Sequence, residues 1–258
     1  MRHLIFAALL LAPAAAMADE PQCKFHADRN LDLDLAGVHS VRFVTNSHDL
    51  IVDGAAGGKP GVHGRACASS QEAADNLVVE QSKQGDTLVV ELKNKNEGNW
   101  HFSMGSNYSY LKVSASVPGN LPITVNVGSG DAHVRNVASL DSAVGSGDLD
   151  VDGVKGNVSS TVGSGDLKIR RSGAVKIDSV GSGDLEASDI TGGVRIGTVG
   201  SGDAKLKDIT GDVEVGTIGS GDLDVDGVKG NLTVRTLGSG DIDKKGVTGK
   251  LDLPGKAD

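Results

Sequence analysis

The chain has 258 residues, 38% of them hydrophobic, with 37 glycines and only seven aromatics, a composition that excludes a helical bundle and argues against a doubly wound enzyme with an aromatic-rich core. Its 25 basic and 34 acidic side chains give a net charge of −9, the wrong sign for a protein that tracks phosphate backbones, so nucleic acid is not an expected partner.

Residues 1–18 read as a signal peptide. Arg2 and His3 precede an apolar run from Leu4 to Ala16, and Ala16-Met17-Ala18 is the small-x-small pattern of a signal peptidase site. Cleavage after Ala18 predicts a mature chain that starts at Asp19, carries one basic residue fewer, and resides in the periplasm or outside the cell. No stretch is long and apolar enough to predict a transmembrane segment. Cys23 lies beyond the cut rather than directly after it, so lipid attachment there is not expected. The only two cysteines, Cys23 and Cys67, both enter an oxidising compartment and are expected to form a disulfide. Closing that loop stabilises by roughly 4 kcal/mol in the chain-entropy view.

Residues 19–122 read as an irregular amino-terminal β region. Alternating apolar segments at Val41 to Val44, Leu77 to Glu80, Thr87 to Leu92 and Leu111 to Val117 predict strands joined by longer loops. The six mature aromatics, Phe25, Phe43, Trp100, Phe102, Tyr108 and Tyr110, all fall here, and a cluster of them is expected to seal one end of a β column. The change to regular repeats is expected near Pro118 and Pro122.

Residues 123–253 are repetitive. Gly-Ser-Gly-Asp occurs seven times, beginning at Gly128, Gly145, Gly163, Gly181, Gly200, Gly219 and Gly238, at intervals of 17 to 19 residues. Between these signatures an apolar pattern recurs, as Ala204, Leu206, Ile209, Val213, Val215 and Ile218 and again as Leu223, Val225, Val228, Leu232, Val234 and Leu237. Apolar residues two apart describe short strands with one buried face, and the glycines mark turns. A unit of this size cannot own a core, but stacked units bury a continuous one, which predicts an all-β parallel β-helix, or solenoid. A rise of about 4.8 Å per coil gives a rod of about 29 Å for the six intervals. No proline interrupts Thr124 to Leu253, and the tail at 254–258, opening with Pro254, is expected to blunt the last edge.

The repeat places Asp131, Asp148, Asp166, Asp184, Asp203, Asp222 and Asp241 in one column. Adjacent carboxylates about 4.8 Å apart repel by roughly 0.9 kcal/mol in water. Two devices could offset this. Each Asp could accept hydrogen bonds from turn N–H groups beside the glycines, as in Asx turns, or the column could hold calcium, which takes carboxylate oxygens. The structural device is the expected one, with no cofactor and no metal required. Thr161, Ser179, Thr198, Thr217 and Thr236 predict a second, hydroxyl column.

The signal peptide, the β region closing with Val117-Pro118 and the tandem Gly-Ser-Gly-Asp units together resemble the bacterial putative-adhesin families of unknown function, including the auto-transporter adhesin head GIN domain. The resemblance covers nearly all of the mature chain. It implies a right-handed parallel β-helix in the cell envelope with an adhesive role and an envelope or surface ligand, carbohydrate or protein. One departure is that Gly255-Lys256-Ala257-Asp258 leads into no carboxy-terminal barrel that would tether the rod.

Catalytic readings find little support in the residues. No Gly-x-Gly-x-x-Gly joins a strand to a helix, no Gly-x-x-x-x-Gly-Lys occurs, and the serines sit in Gly-Ser-Gly rather than Gly-x-Ser-x-Gly. His26, His39, His48, His63, His101 and His133 lack paired zinc-ligand spacing. Polysaccharide-cleaving enzymes also use parallel β-helices, so a carbohydrate-active enzyme is the alternative function and a calcium-stabilised scaffold the second. Their sites need clustered charges on long loops and sugar-stacking aromatics, whereas coils this short predict a smooth lateral surface with no deep pocket. The expected function is a non-enzymatic, adhesin-like binding or structural module.

Overall fold

The structure is a computed structural model that describes residues 23–54, 58–96 and 108–255. The expected signal peptide, Trp100, His101, Phe102 and the last three tail residues lie outside the described residues.

Among the described residues two sheets form, of 12 and 11 strands, and the repeats alternate between them to make a β-solenoid. Each complete coil gives one strand to each sheet, as in Leu185–Ile190 followed by Val194–Val199, then Ala204–Ile209 followed by Val213–Ile218. In these strands the first, third and sixth residues are buried. A strict two-residue alternation would bury the fifth, so one residue per strand must be spent reversing the pleat. In the first sheet that residue adopts a left-handed conformation, at Asn136, Gly153, Arg171, Asp189, Asp208, Gly227 and Gly246. Glycine, Asn and Asp tolerate it best, and Arg171 is the exception.

Strands of successive coils pair in parallel with like residues in register, Ala187 with Leu206 and Leu206 with Val225, for example. The apolar columns merge into one core that runs from Leu33 to Val234. The core crosses the expected junction near Pro118 and Pro122 without a break. Asp49–Asp53 pairs in parallel with Ala132–Arg135, and Ser40–Asn46 with Pro122–Val127. Part of the amino-terminal region is thus already solenoid, and the regular stacking starts earlier than the motif count implies.

The irregular part lies at the outer end. There Gly61–Ala68 runs antiparallel to Ser109–Ser116, and Leu77–Gln84 antiparallel to Thr87–Asn94. A short helix, Gln71–Asn76, is capped by the Ser70 hydroxyl, which accepts the Ala73 N–H. Arg29 ties the helix end to the sheet by donating to the carbonyls of Ala74 and Leu77. Cys23 and Cys67 are joined in a disulfide, which fastens the first described residue to the strand Gly61–Ala68. Two of the aromatics expected to seal this end, Trp100 and Phe102, lie outside the described residues. Of the described aromatics only Phe43 is fully buried, while Phe25, Tyr108 and Tyr110 are half-buried. Aliphatic residues such as Leu77, Leu92 and Leu111 fill the space, because the antiparallel strands already supply the covering backbone.

Leu206 has no exposure to speak of and lies between Ala187 and Val225 in register, with apolar neighbours on both sides. An Asp there has neither water nor a partner, so Leu206→Asp is expected to destabilise the protein by several kcal/mol. The neighbouring Val225 is a poorer probe, since Lys244 faces it from the next coil. Thermal denaturation checks the register, and an unchanged Tm for Leu206→Asp rules it out.

Candidate functional site

The corner at which the chain leaves the second sheet and enters the first carries Gly-Ser-Gly-Asp. The second glycine of each motif is required by contact rather than by dihedral angle. A Cβ on Gly147 would lie 1.8 Å from the carbonyl oxygen of Gly130, and one on Gly202 1.8 Å from that of Gly183. Corners stacked at one strand spacing therefore exclude every side chain at that position.

The seven aspartates stand directly after these glycines and form a single hydrogen-bonded ladder. The N–H of Asp148 donates to Oδ1 of Asp131 (3.1 Å), that of Asp166 to Asp148 (2.9 Å) and that of Asp184 to Asp166 (2.9 Å). The series continues with Asp203 on Asp184, Asp222 on Asp203 (each 2.9 Å) and Asp241 on Asp222 (2.8 Å). The acceptors are thus met by backbone N–H groups, but the donor is the next coil's aspartate rather than a residue of the same turn. A hydrogen bond to a charged acceptor contributes about 1.5 to 3 kcal/mol, against a neighbour repulsion of roughly 0.9 kcal/mol in water. The ladder is therefore favourable at each step without a cation.

Sequence inspection missed the first rung. Asp49 Oδ1 accepts the Asp131 N–H (3.4 Å), so Asn46-Ser47-His48-Asp49 is a degenerate member of the motif. Cβ atoms on Gly128 and Gly130 would strike the carbonyls of Asn46 and His48, which places that segment directly before the first glycine corner. The aspartate followed by Leu50-Ile51-Val52 was the available signal.

The lateral faces are not smooth. On the first sheet, Asp150, Lys168, Glu186, Lys205 and Asp224 stack in register with alternating sign, and Lys168 Nζ lies 2.6 Å from Glu186 Oε2. Beside them Arg170 meets Asp150 at 2.8 Å and Arg135 meets Asp53 at 2.9 Å. Such exposed pairs contribute little individually, and their alternation chiefly avoids the repulsion of a like-charged column. His133 stands in the same column, 3.9 Å from Asp150.

On the second sheet Ser179, Thr198, Thr217 and Thr236 are in register as expected. Thr161 is displaced, because the pairing of Val158–Val162 with Val175–Val180 shifts after Ser160, where the longer coils admit an extra residue. Arg195 and Arg235 flank Glu214, and their hydrogen bonds hold its carboxyl below the usual carboxylate range. A groove of about 750 Å³ crosses several coils on this side, contrary to the smooth surface expected. Among the described residues no group of three or more His, Cys, Asp or Glu is arranged to hold a metal ion, and no helix is long and apolar enough to cross a membrane.

Residues 62–200 match the Toastrack DUF4097 family, and the chain belongs to it. Among solved structures the chain is similar to a putative adhesin from Bacteroides fragilis, with 16% identity, 90% of this chain and 98% of that chain covered, and a TM-score of 0.58. It is also similar to a putative adhesin from Parabacteroides distasonis (14% identity, 86% and 97% covered, TM-score 0.49). A putative lipid binding protein from the same species gives 15% identity, 90% and 98% coverage and a TM-score of 0.43. The Bacteroides fragilis structure shares the stacked β-solenoid fold. Comparison with curated proteins gives no match.

The ladder separates acceptor from charge. Asp184→Asn keeps an oxygen for the Asp203 N–H and removes one repelling charge, so its Tm is expected to equal or exceed that of the wild type. Asp184→Ala loses the acceptor and is expected to cost about 1 to 3 kcal/mol. Equal melting temperatures for the Ala and Asn variants would exclude the ladder as a source of stability.

Proposed function

We propose that the protein is a non-enzymatic, exported β-solenoid that serves as an adhesin-like binding or structural module of the bacterial cell envelope. The observation that carries this reading is repetition. The aspartate corners and the hydroxyl column present the same chemistry coil after coil, whereas catalysis needs one constellation unlike its neighbours. A repetitive surface suits multivalent capture, each coil contributing weakly and the array adding through effective concentration. The Bacteroides fragilis putative adhesin, built on the same fold, supports the adhesive reading, and the Cys23–Cys67 disulfide supports export. The ligand in this reading is an envelope or surface carbohydrate or protein.

Calcium is not needed in this reading, because backbone donors already occupy one oxygen of each laddered aspartate that has a coil above it. Chelation is therefore expected to leave the Tm unchanged. A large reversible drop restored by calcium means instead that a cation stabilises the column by mass action.

Location is tested by fractionating cells and measuring protease access in intact and permeabilised cells. The expected result is a chain cleaved after Ala18 and recovered with the envelope. An uncleaved cytoplasmic chain overturns the proposal, as does polysaccharide cleavage abolished by replacing a single carboxylate such as Asp203.

A further inference from the structure

The opposite corner, where the chain enters the second sheet, carries a ladder of the same kind that is broken in the middle. Its column reads Ser139, Asn157, Ala174, Gly193, Asp212, Asn231 and Lys250; Ser139 opens its second-sheet strand and each of the others directly precedes one. Where the column holds Asn or Asp, its Oδ1 accepts the N–H of the next coil. Ala174 donates to Asn157 (3.4 Å), Asn231 to Asp212 (2.7 Å) and Lys250 to Asn231 (2.9 Å). Ala174 and Gly193 have no side-chain acceptor, and among the described residues the Ser139 hydroxyl receives no N–H from the next coil. In consequence the N–H groups of Asn157, Gly193 and Asp212 bond to no atom of the described residues. All three residues line the groove of about 750 Å³, whose floor is lowered by the small residues Ala174 and Gly193.

Resting on the binding-module reading above, we propose that this groove binds an extended neutral glycan whose hydroxyls take the place of the missing ladder oxygens. The groove has the volume of a ligand site. Backbone donors along it that no protein atom accepts are open to a ligand's oxygens in place of water. Its walls add carboxylates that accept. Asp141 makes no ion pair among the described residues, and Asp212 has an oxygen beyond the one that receives Asn231. Of the cations on the wall, Lys176 lies 2.8 Å from Asp178, and Arg195 shares Glu214 with Arg235. A polyanion entering the groove also meets the carboxylates of Asp141 and Asp212. A hydroxyl donates and accepts at one atom, which suits a wall where N–H and carboxylate alternate. An extended peptide would need a free strand edge for its own N–H and C=O groups, but the groove crosses strands that are already paired on both sides.

The test uses a variant that repairs the ladder. Ala174→Asn places an acceptor before the Gly193 N–H and fills the groove floor, so it is expected to raise the Tm while weakening glycan binding. The full mature chain and this variant are titrated with cellohexaose, maltohexaose and chitohexaose, with tetragalacturonate and an extended hexapeptide as comparisons. Binding of at least one neutral hexasaccharide, weakened about tenfold or more in Ala174→Asn, is the expected result. No binding of any neutral probe overturns the proposal, and so does tighter binding of tetragalacturonate or the peptide, or equal binding by the variant. Sedimentation of both proteins with an envelope fraction separates the two readings. If both sediment equally, the groove is excluded and the binding module stands; if neither sediments, the binding module itself fails.

Discussion

A coil stacked on its neighbour at one strand spacing puts every residue directly above its counterpart, so each position must be compatible with a copy of itself. That self-compatibility is the constraint on which the fold depends. At the Gly-Ser-Gly corner it is steric, since any Cβ on the second glycine would enter the carbonyl of the coil before. At the aspartate it is electrostatic, and the stack solves it by giving each carboxylate the next aspartate's N–H. In the strands it is hydrophobic, and Val, Ile and Leu repeat at positions one, three and six. On the charged face alternation takes the place of identity, because Lys above Lys would repel where Lys above Glu attracts.

The same constraint explains what could be read from the sequence. A position that must match itself in every coil leaves a period, and the glycines, the aspartates and the apolar pairs are such positions. Asp49 escaped because its corner lacks the glycines. Asn46 and His48 belong to the first corner of the ladder and carry side chains where the later corners carry glycine, which hides the motif. The helix Gln71–Asn76 is too short to show a helical period, and it sits at the irregular end, where no repeat imposes a pattern. The shift at Thr161 follows from one extra residue in the later coils, which the motif intervals record as a change in length but not as a place.

The second corner was illegible for the opposite reason. Its residues share a column only once the register is known, and Ser, Asn, Ala, Gly, Asp, Asn and Lys do not look like one position in a linear sequence. This corner tolerates variation because six of its seven column positions already carry a Cβ, unlike the second glycine of Gly-Ser-Gly. Only at Gly193 would a Cβ come too close, 2.8 Å from the Asp212 oxygen. A corner that is free to vary is also where individuality can enter a repetitive rod.

In the last coil described, the column that reads Ala187, Leu206 and Val225 changes character, because the next residue in register is Lys244, which is exposed. Covering that ammonium with another apolar coil would desolvate an unpaired charge, at a cost well above what one more set of strand hydrogen bonds returns. Leu251 stays half-exposed in the same coil, so the end does not hide all its apolar surface. A charge at such a register position is one of the devices by which sheet edges resist pairing with other chains. A charge in register with the core thus sets this coil apart from those before it, whose counterpart residues are apolar.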